Sequence, residues 1–168
     1  MMQKIQSFEP VADARARVLI LGSMPSVRSL ANHQYYAHPR NHFWPLMARV
    51  LDSEAPADYE ARCDWLRRHY IALWDAVQQC ARKGSLDANI KEAEPNPIGI
   101  FLQSHADIRA IFFNGTAAKK YFERFHAAPP LIRTVLLPSS SPIPRPNLIT
   151  VEDKLPFWMK IREECRCD

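Results

Sequence analysis

The feature that most constrains the fold is a short apolar run that recurs along the chain and ends each time in small or polar residues. The clearest example is "RVLILG" at 17–22, whose branched aliphatic residues end at a glycine, as in a buried parallel strand. Similar runs, "IALWDAV", "IRAIFFNG" and "TVLLP", begin at Ile71, Ile108 and Thr134, with stretches of helical periodicity between them. This alternation predicts an α/β fold, a three-layer α/β/α sandwich around a central, mainly parallel four-stranded sheet.

Four helices are expected between and after these strands. "NHFWPLMARVL" begins at Asn41, a preferred N-cap residue, and "ADYEARCDWLRRHY" places its apolar residues on one stripe. "TAAKKYFERF" starts at Thr116 as a cap, and "TVEDKLPFWMKIREEC" opens at Thr150 with acidic residues in its first turn.

The composition fits one domain spanning residues 1–168. There are 22 Lys and Arg residues against 18 Asp and Glu, and the net charge of +4 favours polyanionic partners only weakly. No apolar run approaches the ~20 residues needed to cross a bilayer, and "MMQKIQSFEP" lacks the apolar core of a secretion signal. We therefore expect a cytoplasmic protein without a membrane segment.

The four cysteines are scattered and form no C-x-x-C pair: Cys63, Cys80, Cys165 and Cys167. Reduced thiols are expected, and a zinc site is not. The tail "CRCD" has donors for a soft metal, although a frayed terminus is the better interpretation.

Three of the predicted strands end in segments rich in small polar residues: "GSMPS" at 22–26, "NGTAA" at 114–118 and "PSSSP" at 138–142, here called the serine loop. Ligands of such sheets bind beyond the carboxyl ends of the strands, so these segments are expected to converge on one cleft. "GSMPS" offers backbone amides to a phosphate, but it completes neither a Walker loop nor G-x-G-x-x-G, so an ordinary turn stays at least as good an interpretation.

The segment "YYAHPRNHFW" at 35–44 has tyrosines that can stack on a flat base and an Arg that can meet a phosphate. Its Asn41 offers both a donor and an acceptor, or else simply caps the helix that follows. The apolar pair Phe43 and Trp44 is expected in the core. His38 and His42 are expected to be loop histidines bonded to the backbone rather than proton donors.

The segment "LPSSSPIPRPN" at 137–147 combines hydroxyl groups, an apolar residue between prolines and a basic residue. Such a rigid loop can hold DNA phosphates through its serines and Arg145 while Ile143 enters the base stack as a wedge. A proline-stiffened surface turn is the equally weighted alternative.

Taken together, these segments resemble the uracil-DNA glycosylase superfamily over nearly the whole chain. The mismatch-specific branch carries G-I-N-P-G, A-H-P-x-N-x-F-W and N-P-S-G, where this chain has "GSMPS", "AHPRNHFW" and "PSSSP". The hypoxanthine-DNA glycosylase branch is more similar, through "LWDAVQQCARKGSLDANI", "FNGTAA" and the serine loop. The resemblance implies a monomeric DNA repair enzyme that flips out a deaminated base, hypoxanthine in deoxyinosine above all, and hydrolyses its glycosidic bond, leaving an abasic site. It implies no cofactor, because the cysteines lack the spacing of an iron–sulfur cluster.

Departures from the family motifs shift the expected roles. Met24 stands where the mismatch-specific relatives have the Asn that positions water, and Ser139 stands where they have an Asn that contacts a pyrimidine. The resemblance therefore implies that Asn41 takes the main polar role, that Tyr36 stacks on the flipped base and that Ile143 fills the gap left in the duplex.

Asp75 either orients water as a base or is only a turn acid. Lys119 and Lys120 follow "NGTAA" on a predicted helix and are expected to face solvent, so no Schiff-base lyase is expected.

The resulting candidate residues fall into three groups. The catalytic candidates are Asn41, Asp75 and Asn114. The base-binding candidates are Gly22, Ser23, Met24, Tyr36, His38, Phe43 and Ser139. The DNA-binding candidates are Ser26, Arg40, Ser140, Ser141, Ile143 and Arg145. No residue is assigned to a metal. The alternatives are a uracil or broad-specificity glycosylase, a non-catalytic DNA-binding module and a small-nucleotide α/β enzyme.

Overall fold

A computed structural model describes residues 3–166 of the chain, so that Cys167 of the "CRCD" tail lies outside the described residues. The strands are β1 (Lys4–Gln6), β2 (Val18–Gly22), β3 (Ile71–Asp75), β4 (Val77–Ala81), β5 (Lys91–Pro95), β6 (Ala110–Asn114) and β7 (Arg133–Leu137). The helices are α1 (Val27–Asn32), α2 (Phe43–Leu51), α3 (Tyr59–Arg68), α4 (Ile98–Ser104), α5 (Thr116–Phe125), α6 (Val151–Trp158) and α7 (Lys160–Cys165). A short 3₁₀ helix covers Asp87–Asn89.

The central sheet has four parallel strands in the order β3-β2-β6-β7. Every residue of β2 and β3 is buried, as expected for strands covered on both faces. Helices α3, α5 and α7 pack against this sheet. The predicted α/β class and parallel four-stranded sheet are confirmed, and all four predicted strands belong to it.

A second sheet, which the sequence analysis did not predict, is three-stranded and antiparallel, in the order β1-β4-β5. Strand β4 begins only two residues after β3 ends, so the apolar run "IALWDAV" feeds two strands instead of one. The expectation of a single sheet was wrong because the exposed Gln78 and the half-buried Gln79 in β4 break the apolar run that marked the other strands.

The helix starts follow the predicted caps in part. Thr150 caps α6 with a capping box, since its Oγ1 accepts from the Asp153 amide and the Asp153 carboxylate accepts from the Thr150 amide. At α5 the cap is Gly115, with φ +94°, and Thr116 is already the first helical residue. The predicted last helix is divided at Met159 into α6 and α7.

No helix within residues 3–166 has the length and apolar character required to cross a membrane. The in-register pairing of the central sheet sets the ends of its strands level: Gly22 pairs with Asp75, and Asn114 pairs with Leu137. The segments that follow these strands therefore leave one edge of the sheet together, as the sequence predicted.

Thr150→Ala tests the capping box. It removes one acceptor from the first turn of α6, and we expect it to lower the free energy of unfolding by about 1 kcal/mol in urea denaturation. Thr150→Ser keeps the acceptor and serves as the control. Equal stability of the two variants would show that the capping box contributes nothing.

Candidate active site

The carboxylate of Asp75 and the backbone of Gly22 form the floor of the site. Asp75 ends β3 directly opposite Gly22 at the end of β2, and only 3% of its surface is exposed. A Cβ atom at position 22 would overlap the Asp75 carboxylate and lie 3.1 Å from the Tyr36 hydroxyl. Glycine is therefore required at position 22 because the backbone there approaches two side chains closely.

The charge of Asp75 is balanced incompletely by its surroundings. Burial, together with the nearby Asp87 charge, raises the pKa of Asp75 to about 7, while the charge of Arg82 opposes this shift. Arg82 is directed elsewhere, since its Nε and Nη2 donate to the carbonyls of Gly84 and Pro25. Within residues 3–166 no group forms a hydrogen bond with the buried Asp75 Oδ2.

The ring of Tyr36 is fixed at both ends. It stacks on Phe43 with 4.1 Å between the ring centroids and 18° between the planes. Its hydroxyl accepts from Asn114 Nδ2 at 2.9 Å, and burial raises its pKa, so the hydroxyl stays protonated. Tyr36 has φ +53°, a conformation that tyrosine adopts only when its surroundings hold it there.

The side-chain amide of Asn114 ties Tyr36 to the serine loop. Its Nδ2 donates both to Tyr36 and to Ser140 Oγ, each at 2.9 Å. Its Oδ1 accepts from the Ser140 amide at 2.8 Å. Both amide hydrogens of Asn114 are therefore used within the protein, and the hypothesis that it donates to a base requires the Tyr36 bond to open.

The serine loop is held from its other side by His42 and Lys154. The His42 amide donates to the Ser140 carbonyl at 2.9 Å, and Lys154 Nζ donates to the Ser141 carbonyl at 3.0 Å. Lys154 Nζ also lies 3.0 Å from His42 Nδ1. Burial lowers the pKa of Lys154, and burial together with the Lys154 charge lowers the pKa of His42.

Asn41 lies at the start of α2, next to His42, whose amide contacts the serine loop. Its Oδ1 accepts from the Phe43 amide at 2.9 Å, and its own amide donates to the His38 carbonyl at 3.0 Å. Asn41 thus caps α2 with its oxygen, although His42 holds the N-cap position. No group of residues 3–166 accepts from Asn41 Nδ2, so this donor is available to a ligand.

The first loop uses its polar groups internally. Ser23 Oγ donates to Asp87 Oδ1 at 2.6 Å, and Ser26 Oγ accepts from the Ser29 amide as the cap of α1. Met24 is buried in the core. The predicted phosphate contact of Ser26 therefore competes with its capping bond.

The residues predicted to meet DNA are only partly on the surface. Ser26 and Ser141 are half-buried, and the predicted DNA contact of Ser140 is wrong, because only 1% of that residue is exposed and its hydroxyl and amide are bonded to Asn114. Arg40 and Arg145 are exposed, and His38 accepts from the Arg40 amide through Nδ1 at 3.1 Å. Ile143 is 55% exposed between two prolines.

Two cavities flank Ser139. The polar one, of about 370 Å³, is lined by Asn114, Gly115, Asp87 and Arg145 among others. The apolar one, of about 280 Å³, is bordered by Ile143 and Phe157. Ser139 itself accepts from the Ser141 amide at 3.1 Å.

Three charged residues of the site were missed by the sequence analysis: Asp87, Arg82 and Lys154. For Lys154 a signal existed, since it shares with Trp158 and Ile161 the i, i+4, i+7 stripe that faces the core. Asp87 and Arg82 lie in a segment without periodicity; the resemblance of "LWDAVQQCARKGSLDANI" to the hypoxanthine-DNA glycosylase branch covers both, but it did not single them out.

The family model described as the uracil DNA glycosylase superfamily matches residues 9–161. A hypoxanthine DNA glycosylase of Methanosarcina barkeri is 36% identical over 119 residues, covering 70% of this chain and 75% of that protein. One of Methanosarcina acetivorans is 34% identical over 142 residues, covering 81% and 85%. The solution NMR structure of a candidate uracil DNA glycosylase from Methanosarcina acetivorans matches with a TM-score of 0.80 and 29% identity, over 97% of this chain and 99% of that one.

Asp75→Asn tests the buried carboxylate through the pH dependence of stability. Asp75 has a pKa of about 7 when folded against 3.8 ordinarily, so the folded state loses stability as the pH rises from about 4 to about 7. Removing this group should therefore increase the stability of the variant relative to the wild type by up to about 4 kcal/mol over that range. The measurement is urea denaturation at pH 4, 5.5, 7 and 8.

Asp107→Asn, at an exposed position, is the control and should show no such trend. A constant difference between Asp75→Asn and the wild type at all four pH values would contradict a buried carboxylate with a raised pKa.

Proposed function

The chain belongs to the uracil DNA glycosylase superfamily, and on that premise we propose that it is a monofunctional DNA glycosylase that removes hypoxanthine from deoxyinosine. The enzyme flips the deaminated base out of DNA, hydrolyses the N-glycosidic bond and leaves an abasic site. We further propose that residues 1–168 act as one domain, as a monomer in the cytoplasm and without a cofactor.

The observation that carries this proposal is the stacked pair Tyr36 and Phe43 with polar groups gathered at the hydroxyl end of Tyr36. A flipped base needs an aromatic surface for its face and polar partners for its edge. The fixed Tyr36 ring supplies the surface, and Asp75 and Asn114 lie at its tip.

A base-flipping enzyme also needs a group that fills the gap left by the flipped base in the duplex. The segment after the serine loop offers such a group. Ile143 projects between Pro142 and Pro144, where the rigid backbone reduces the entropy lost on insertion. Arg145 and Arg40 provide exposed cations for the phosphates on either side.

Bond cleavage passes through an oxocarbenium-like sugar while negative charge develops on the departing base. We assign Asn41 to this step, because its oxygen is fixed by the Phe43 amide while its Nδ2 remains a donor for the departing base. An amide nitrogen donates hydrogen bonds and cannot accept a proton from water. In this assignment Asn41 therefore contacts the departing nucleobase and does not activate the attacking water.

A lyase reaction would require an unoccupied amine at the sugar. Lys119 lies 3.9 Å from Glu123 in an ion pair, and Lys154 is engaged by Ser141 and His42. These contacts support hydrolysis over Schiff-base chemistry at these two lysines, whereas Lys120 is exposed and lines the polar cavity.

The direct test uses purified protein and labelled duplexes that contain hypoxanthine, uracil or xanthine opposite each normal base, followed by alkaline cleavage of abasic sites. Strand breaks in the hypoxanthine duplexes are expected. Intact strands in all duplexes, with salt-sensitive binding retained, would instead identify a non-catalytic DNA-binding protein.

The role of Asn41 is tested by separating its donor from its capping oxygen. Asn41→Ala removes both and is expected to lower single-turnover release of hypoxanthine at least ~10²-fold. Asn41→Asp keeps an oxygen for the Phe43 amide but loses the donor, and it should be similarly slow. Recovery of the wild-type rate in Asn41→Asp would show that Asn41 acts only as a helix cap.

The wedge is tested by comparing duplex and single-stranded substrates. Ile143→Ala should slow release from duplex DNA by ~10-fold, because base flipping there loses its replacement group, and should leave single strands nearly unaffected. Leu131→Ala, at another exposed apolar position, is the matched control. An equal effect of Ile143→Ala on both substrates would argue against a wedge.

A further inference from the structure

The Asp75 carboxylate is a buried charge without a full set of partners. Its Oδ2 has no hydrogen-bond partner within residues 3–166, and 97% of the residue's surface is covered. A buried carboxylate oxygen left unpaired destabilises the folded protein, so its presence at a strand end points to a ligand that completes it.

The charged neighbours of Asp75 do not complete it. Asp87 carries the same charge and accepts from Ser23. Arg82 donates to two backbone carbonyls, and its remaining Nη1 is also buried without a hydrogen-bond partner in the described part of the chain. Asp75 therefore offers an acceptor to an incoming donor.

Deamination creates such a donor at a fixed place on the base. In adenine the ring nitrogen N1 is an acceptor, and in hypoxanthine the same atom carries a hydrogen beside a new carbonyl group. Cytosine and uracil differ in the same way at N3. An acceptor that meets this atom therefore favours the deaminated base and repels the lone pair of its amino parent.

The position of Asp75 suits this contact. Its carboxylate lies over Gly22 beside the hydroxyl of Tyr36, at the end of the ring that serves as the stacking surface. A base that stacks on Tyr36 with its edge toward that end brings its ring N–H to the floor of the site. A side chain at position 22 would displace the carboxylate from this place.

We propose that the Asp75 carboxylate accepts a hydrogen bond from the ring N–H that deamination creates, and thereby separates hypoxanthine from adenine. This inference rests on the proposed glycosylase function. Asp75 is then a specificity-determining residue, and the water-orienting role is a different hypothesis with different consequences.

The experiment measures single-turnover release of hypoxanthine and of adenine, each placed opposite an abasic-site analogue so that neither base is paired. At pH 8, above the Asp75 pKa of about 7, Asp75→Asn replaces an acceptor-only group with an amide of the same shape, which can also donate to adenine N1. The ratio of the hypoxanthine rate to the adenine rate is expected to fall by ~10-fold or more in this variant.

Gly22→Ala is the second variant, because it leaves residue 75 unchanged but forces the carboxylate aside. It should slow hypoxanthine release, and circular dichroism and thermal unfolding establish that both variants are folded. An unchanged ratio in folded Asp75→Asn overturns the inference. Equal slowing with both bases also overturns it, since that result identifies Asp75 as a water-orienting residue. Failure of the wild type to release any base would refute the proposed function itself.

Discussion

The site depends on the register of the parallel sheet. Because β2, β3 and β6 are parallel and pair in register, Gly22, Asp75 and Asn114 lie level with one another at one edge of the sheet. The Asn114 amide then binds Tyr36 and Ser140, which belong to segments 78 and 26 residues away in the chain. The Asn114 side chain thus holds both Tyr36 and the serine loop in place. Both of its amide hydrogens and its oxygen are used in these hydrogen bonds, so neither amide hydrogen is left without an acceptor.

Much of this arrangement follows from the sequence. The apolar runs predicted all four strands of the central sheet, because parallel strands buried on both faces carry a strong local signal. The strand ends predicted that three polar segments leave the sheet at one edge, and the two cavities found there are lined by residues of "NGTAA" and the serine loop. The segment "YYAHPRNHFW" and the serine loop then indicated Tyr36, Asn41 and Ser140 as residues at this edge. The capping box at Thr150 was equally visible, since it depends only on residues three apart.

The parts that the sequence did not predict depend on contacts between distant segments. In the second sheet, β1 pairs with β4 across more than 70 positions of the chain, and β4 interrupts an apolar run that resembled one strand. The bonds of Lys154 to Ser141 and His42, and the contact of Tyr36 with Asn114, are likewise tertiary. The type of each residue limits the hydrogen bonds that its side chain can form. Which donors remain available to a ligand is decided by the tertiary contacts of the folded chain.

The structure also explains how a site can work without an amide in its first loop. Met24 is buried in the core, so that loop supplies backbone and the close approach at Gly22, while polar groups come from the end of β3, the end of β6 and the start of α2. These groups differ in kind: Asp75 only accepts when ionised, whereas the Nδ2 of Asn41 is a donor that no group of residues 3–166 uses. In the proposed binding mode, this acceptor and this donor come from separate segments and match the ring N–H and an acceptor atom of a 6-oxopurine independently of each other.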